Sequence, residues 1–580
     1  MRQFEITDGT GCDLSAAVAV DPVPSSDGAA LYRITVSSPQ TKLRISWREP
    51  MQGHISVWHP TCGRDRGLPQ WFHAQKTDAC FYRGAPVLAT LCADGRTHCT
   101  AALSECVIAS VLGYYVDDFS ETDTVVFFAE LHGTPEKFTA LLRIDKTHAP
   151  LPEALETVWR WWNRGKERFA PLPEEAFAPL YSSWYSFHQT PDQAALTEEL
   201  REAAQLGFRT AILDDGWQIE GAGTKDYLKS GDWKPAPDKF PDFKGFVRDV
   251  HACGIKLILW FAVPFAGFET EAFRRFRDRL LYKEEGYINA GTLDVRYPEV
   301  REYIVGTYLR FIEDYDIDGL KLDFIDNFRE TPDTPAYNDR MDAETVTEGV
   351  QKLLQEICGA AVRRKPDFLF EFRQFYVGPE IMRYANMLRV CDCAFDAVTN
   401  RIGMADLRML TRDVAVHSDM LLWSPEETAE NCALQLLNVM FAAVQISVRL
   451  KNASGEQKKL IKAHLAYREE NRDLLLKSRL NVCHPEENYT AIRTESEDKR
   501  RRITVLYAQN VIDADCPEED IFNATAYETA VIANDAGRTL DITVFNCFLE
   551  PVRQFFSADA AVRVNVPAGG MIRIRFDTIL

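Results

Sequence analysis

From Leu180 to about Leu450 one rhythm recurs: a short apolar run, a polar or glycine-marked turn, then a segment of helical period. The apolar runs are "LYSSWYSF", "TAILDDGW", "KLILWFAVPF", "GLKLDFID", "FLFEFRQF", "MLRVCDC", "DMLLWSP" and "VQISVRL". The helical segments include "AALTEELREAAQLG", "FKGFVRDVHACG", "VREYIVGTYLRFIEDY" and "AETVTEGVQKLLQEICGAAVRR". Strands that alternate with helices form parallel sheets, because a parallel pair needs a long crossover. About eight such alternations predict a closed (β/α)8 barrel of the TIM type over residues 179–478. An open doubly wound sheet fits less well, since neither a GxGxxG nor a GxxxxGK[ST] turn is present. Gly207 and Gly254 stand where the first two helices need a left-handed residue to end.

The flanks read differently. Residues 1–150 alternate short apolar runs with turn residues ("ALYRITVSS", "KLRISWREP", "PVLATLCADG", "TDTVVFFAELHG"), the pattern of an N-terminal β-sandwich. Residues 151–178 are proline-marked and read as a linker with one helix. Beyond it, 479–580 returns to strands ("RRITVLYAQN", "YETAVIAND", "LDITVFNCF", "GMIRIRFDTI"), a small C-terminal antiparallel β-domain. A chain of 580 residues exceeds what one hydrophobic core holds, so the expected architecture is multidomain.

Charge narrows the partners. A net charge of −20 argues against nucleic acid or an anionic membrane, both of which need a basic face. No run reaches the roughly 18 apolar residues of a membrane span, and the N-terminus lacks a signal-like apolar core, so a cytoplasmic location is expected. The 14 cysteines are scattered without a CxxC pair; "CDC" at Cys391 and Cys393 is the tightest spacing, and reduced thiols packed as small hydrophobes are expected.

In a parallel barrel the C-terminal strand ends carry the chemistry. Here those ends bear Trp184, Asp214, Asp215, Trp217, Lys321, Asp323, Arg373, Gln374 and Asp392, from five different strands. Several carboxylates without a Ser/His or Cys/His pairing favour acid/base and carboxylate-nucleophile chemistry over acyl transfer. Aromatic residues among carboxylates suit a sugar, whose C–H faces cover indole and whose hydroxyls donate to carboxylate. A divalent metal is the rival use of these groups, but no DxD or HxH cluster accompanies them at the rim, so none is expected. Each residue also has a plainer reading. "DDG" is a turn signature, Asp392 can pair with Arg389, Asp326 fits a turn or cap, and Arg373 can pair with Glu371 or Glu380.

Taken together and in order, "SSWYSF", "LDDGWQ", "GDWKPAPDKFP", "HACGIKLILWF", "LDVRYPEVREYI", "LKLDF" and "VCDCAFDA" resemble glycoside hydrolase family 36, the α-galactosidase-like family of the melibiase clan. The resemblance implies a retaining exo-α-glycosidase acting on small or oligosaccharide α-galactosides, without metal or organic cofactor. It implies Asp323 as nucleophile and Asp392 as general acid/base, protonated at rest. Asp214 and Asp215 would bind the 4- and 6-hydroxyls, and Trp184 and Trp233 would wall the sugar pocket. Lys321 would reach a ring hydroxyl and help keep Asp323 ionised. Relatives often assemble, which extends the implication to a homo-oligomer. The sequence departs from the family in two places. "FEFRQFYVGPE" brings Arg373 and Gln374 where small residues and a glycine run are usual, and "GYINAGT" lacks an expected arginine. Arg373 is therefore expected to touch a ring substituent or aglycone that simple α-galactosides lack. An α-N-acetylgalactosaminidase, another glycosidase of the clan, a transglycosylase and a non-catalytic carbohydrate-binding protein are the alternatives.

Overall fold

The structure, a computed structural model, describes residues 3–120, 123–223 and 226–576. Its first part is a sandwich of a five-stranded and a six-stranded sheet, antiparallel in every named ladder. The long strand Gln40–Pro50 shows why these residues form a sheet face: Leu43, Ile45 and Trp47 are buried at every second position. They meet Ile34, Val36, Leu88, Val125, Phe127 and Leu142 from both sheets in one core.

The first helix, α1 (Leu151–Asn163), lies between sandwich and barrel with one face buried. Trp162 donates its indole N–H to the carbonyl of Leu103 at 2.7 Å, and Trp159 donates to Asp413 at 3.0 Å. The helix thus packs on both neighbours.

The middle of the chain is the expected barrel. Its strands are β1 (Leu180–Ser182), β2 (Thr210–Leu213), β3 (Lys256–Ala262), β4 (Gly319–Asp323), β5 (Leu369–Arg373), β6 (Met387–Arg389), β7 (Ala415–His417) and β8 (Gln445–Ile446). From β1 to β7 each pairs in parallel with the next, and β8 pairs in parallel with β1. Bridges between His417 and Ala443 and between Leu421 and Ile446 close the circle. The main outer helices are α2 (Gln193–Leu206), α3 (Phe243–Ala252), α4 (Pro298–Tyr315), α5 (Val346–Val362), α6 (Ala397–Leu410), α7 (Ala429–Asn438) and α8 (Gly455–Glu470). Gly207 ends α2 with φ 116°, and Gly254 follows α3 with φ 77°.

Two strands are shorter or displaced relative to the sequence expectation. β1 stops at Ser182, and Trp184–Phe187 forms a helical turn. The seventh strand is Ala415–His417 rather than "DMLLWSP", because "VAVH" supplies the buried apolar positions and leaves Asp419 beyond the strand end. Between β3 and α4 the end of "GYINAGT" joins a separate three-stranded sheet of Phe265–Gly267, Leu280–Glu284 and Ala290–Leu293.

The last part contains a seven-stranded and a three-stranded sheet. Its ladders are antiparallel except where Arg501–Leu506 meets Glu518–Asn523 and Val511–Asp513 meets Thr529–Ala533. Sandwich, barrel and C-terminal part converge on Asp406 of α6. Its carboxylate accepts from Trp58 Nε1 (2.8 Å), from Arg66 (3.0 and 3.2 Å) and from the hydroxyl of Tyr489. Among the described residues no helix is long and apolar enough to cross a membrane.

Candidate active site

The C-terminal mouth of the barrel is built from strand ends whose last residues turn away sharply. β4 ends at Asp323, and Phe324 takes φ 63°, which aims its N–H back at Asp323 Oδ1 (2.8 Å). Trp260, on β3, donates its indole N–H to Asp323 Oδ2 at 3.1 Å. Arg373, the last residue of β5, donates from Nε to Asp323 Oδ1 at 2.5 Å. Both carboxylate oxygens therefore already hold donors. Burial pushes the Asp323 carboxyl up, but Arg373 and Lys321 outweigh it and hold it well below the usual range.

Lys321, two residues earlier on the same strand face, binds Asp214 Oδ2 at 2.6 Å. Burial disfavours its charge, yet the adjacent Asp214 raises its pKa. Asp214 receives the N–H of Asp215 at 2.9 Å and donates its own N–H to Ser183 Oγ. Asp215 is clasped by Gln189 Nε2 (2.6 Å) and Gln218 Nε2 (2.8 Å), and burial pushes its pKa up to about 6. The turn reading of "DDG" also holds. Gly216 has φ 109°, and a Cβ there would lie 2.4 Å from the Gln189 backbone. The glycine is needed so that the preceding carboxylates can sit against Gln189.

Asp392 follows β6 and is more open, with a side chain 59% exposed against 12% for Asp323. Arg389 Nη1 donates to it at 2.8 Å and holds its carboxyl below the usual range. The resting proton expected on Asp392 is thus disfavoured by a guanidinium three residues away. Arg389 is shared: the same Nη1 donates to Asp419 at 2.6 Å, and Nε lies 3.8 Å from Glu371. Burial raises the pKa of both Asp419 and Glu371, partly offset by Arg389 for the first and by Lys321 and Arg389 for the second.

Arg373 does not pair with Glu371 or Glu380. Its partners are Asp323 and, at 3.5 Å, Asp326, whose other contact is the Tyr376 hydroxyl at 2.8 Å. Glu371 instead accepts from Gln445, and Glu380 pairs with Lys166 and Arg383. The two expected pocket walls separate. Trp184 is half-buried near His188, whereas Trp233 is 6% exposed and packs behind Trp217, Trp260 and Phe261. Trp260 is the indole bonded to Asp323, with Tyr227 stacked on it at 6.3 Å.

The expected pairing of Asp392 with Arg389 is present, but sequence reasoning missed Trp260 and Asp419 and gave Glu371 and Arg389 no further part in the site. Charges inside the apolar runs "LFEFR" and "MLRV" were the available signal, since buried strands carry charge only where it is paired. Asp419 was hidden by reading its segment as strand. Among the described residues no group of three or more metal-ligating side chains is placed to hold an ion. What the mouth offers is an enclosed anion, an open carboxyl two strands away and hydrogen-bonding groups between them, a set suited to acid/base and nucleophilic work.

A family model described as melibiase matches residues 174–478. An α-galactosidase of Lactobacillus acidophilus is 28% identical over 199 residues, covering 33% of this chain and 26% of its own. The match thus takes in about a quarter of that curated relative. Among solved structures, a glycoside hydrolase family 36 α-galactosidase of Geobacillus stearothermophilus, bound to 1-deoxygalactonojirimycin, superposes with TM-score 0.64 at 15% identity, covering 97% of this chain and 81% of that one. A variant of the same enzyme bound to raffinose gives 0.63 at 16%, with the same coverage. These superpositions establish the multidomain fold.

Proposed function

The chain belongs to the melibiase family, and from that premise we propose that it is a retaining, exo-acting α-glycosidase hydrolysing terminal α-galactosides. Asp323 attacks the anomeric carbon and forms a glycosyl ester while Asp392 gives its proton to the leaving oxygen. Asp392 then takes a proton from the water that frees the sugar. Asp214, Asp215 and Lys321 receive the ring hydroxyls, and Trp184 and Trp260 offer apolar faces. Trp233 supports Trp260 from behind.

The observation that carries this reading is the unlike surroundings of the two carboxyls. Asp323 is enclosed by Arg373, Trp260 and a backbone N–H, so it stays an anion. Asp392 faces solvent, with its hold on Arg389 shared by Asp419. A sugar entering the mouth strips water from Asp392 and raises its pKa toward that of an acid.

Arg373 favours a second reading within the same chemistry, a glycoside altered at carbon 2, because a bulky cation sits on the nucleophile. One experiment addresses both. Aryl α-glycosides that differ in sugar and in the carbon-2 substituent are assayed with wild type, Asp323→Asn, Asp392→Asn and Arg373→Ala. The two Asn variants should lose about 10²-fold or more on the preferred glycoside, with the first-formed sugar retaining its anomeric configuration. Arg373→Ala should change the ranking of the panel. Full activity in both Asn variants overturns the site, an inverted product overturns the mechanism, and an unchanged ranking removes Arg373 from substrate selection.

A further inference from the structure

Asp419 is a carboxylate at the mouth for which the double displacement has no step. It is wholly buried, two residues beyond the end of β7, where a charge is costly unless it is paired. Its partners come from four sides. Arg389 on β6 donates to Oδ1 at 2.6 Å, the Tyr185 hydroxyl in the turn after β1 donates to Oδ2 at 3.1 Å, and the N–H of Cys393, the residue after Asp392, donates to Oδ2 at 2.7 Å. From α6, Asn400 accepts from the Asp419 N–H at 2.9 Å and donates to the Asp419 carbonyl at 3.0 Å. Arg389 and the Cys393 N–H can only donate, which favours the carboxylate over the acid against a burial that raises its pKa.

We propose that Asp419 is the positioning residue of the acid/base: it balances the charge of Arg389 and pins the backbone beside Asp392, so that Asp392 can carry the proton it must deliver. The inference rests on the glycosidase reading above. One nitrogen, Arg389 Nη1, is divided between Asp392 at 2.8 Å and Asp419 at 2.6 Å. A guanidinium given to Asp392 alone would stabilise its anion in full and leave no proton to donate. Asp419 takes up that charge where pairing is stronger, since its side chain is 0% exposed against 59% for Asp392. The other charges around the pair leave this balance to Asp419. Lys321 on β4 lowers the pKa of Asp392 as Arg389 does, Asp323 raises it, and Glu371 on β5 lies 3.8 Å from Arg389 Nε. Arg373 and Asp396 act further out, against the thiols of Cys391 and Cys393. Those two thiols, the Tyr185 hydroxyl and His417 on β7 are all kept neutral by burial at neutral pH.

The test is the pH profile of kcat on the methyl α-glycoside of the sugar that wild type hydrolyses fastest. Methoxide leaves poorly, so protonation belongs to the slow step and the high-pH limb of kcat reports the acid in the substrate complex. Asp419→Asn keeps the side chain's size and removes its charge, and should move that limb to lower pH by about one pH unit. Arg389→Gln removes the cation instead, and should move the limb to higher pH by about one pH unit or more. A packing defect lowers kcat without shifting the limb in opposite directions, so poor folding of one variant does not decide the outcome. A limb left in place by either variant, or moved the same way by both, overturns the role of Asp419 and leaves the glycosidase reading standing. Asp392→Asn should abolish the limb; a limb that persists there, or a wild type inactive on every α-glycoside, overturns both.

Discussion

Asp323 is a carboxylate with no idle oxygen: Oδ1 holds Arg373 and its neighbour's N–H, and Oδ2 holds Trp260. An anion so well satisfied is stable but a poor nucleophile, since its lone pairs are engaged. On the proposed mechanism, attack by Asp323 would require Arg373 to give way, and Asp326 with Tyr376 stands on the guanidinium's other side to receive it. Charge on the nucleophile and the seat of Arg373 are therefore coupled. Asp215 carries the opposite perturbation, with its pKa pushed up to about 6 by burial. A carboxyl whose folded pKa is raised binds its proton more tightly folded than unfolded, so stability falls as pH rises from about 4 to about 6 and is flat above. The span is worth at most about 3 kcal/mol. Asp215→Asn should flatten that slope in urea unfolding series between pH 4 and 7, and an undiminished slope would assign it elsewhere.

At the scale of elements, helix α6 lies close against β6 because Gly403 leaves room for it. A Cβ at that position would sit 2.6 Å from Val390 Cγ1 and 3.4 Å from Gln374 Oε1. Val390 is buried and short, so it cannot swing clear, and it stands two residues before Asp392. Gly403→Ala should cost about 1–3 kcal/mol by overpacking and displace Asp392 enough to lower kcat/KM. A variant with wild-type stability and rate would show that α6 moves freely. The elements themselves were largely legible. β2 to β6 and helices α2 to α5 stand where apolar runs and helical period put them, because each strand is largely apolar and buried on both faces and each helix has one buried stripe. The ends were less so. "LYSSWYSF" looks like eight strand residues, yet only Leu180–Ser182 pairs, the rest being drawn into a turn by hydrogen bonds from Ser186 and Ser447. For the site, the positions of Asp323, Asp214, Asp215 and Lys321 at the rim follow from register alone. Their partners do not: that Lys321 seeks Asp214, and Arg373 seeks Asp323, depends on distances across the barrel that no local pattern encodes.

For the whole molecule, the decisive contact is the one at Asp406, which shares a cavity wall with Asp392. Asp406 is buried and shared among Trp58 and Arg66 of the sandwich and Tyr489 of the C-terminal part, while Arg66 also donates to the Pro485 carbonyl at 2.7 Å and lies over the Tyr489 ring. Removing one partner of a buried ion pair strands the other charge, at about 3–5 kcal/mol. Asp406→Ala should lower the thermal midpoint and split a single unfolding transition into separate ones, followed by calorimetry; one sharp transition at the wild-type temperature would deny Asp406 that role. The wider consequence concerns modularity. A barrel cut free of its neighbours would carry a naked carboxylate in α6 and expose the side from which loop 60–64 meets Asp392. Trimming this chain to its barrel therefore calls for replacing Asp406 in the same step.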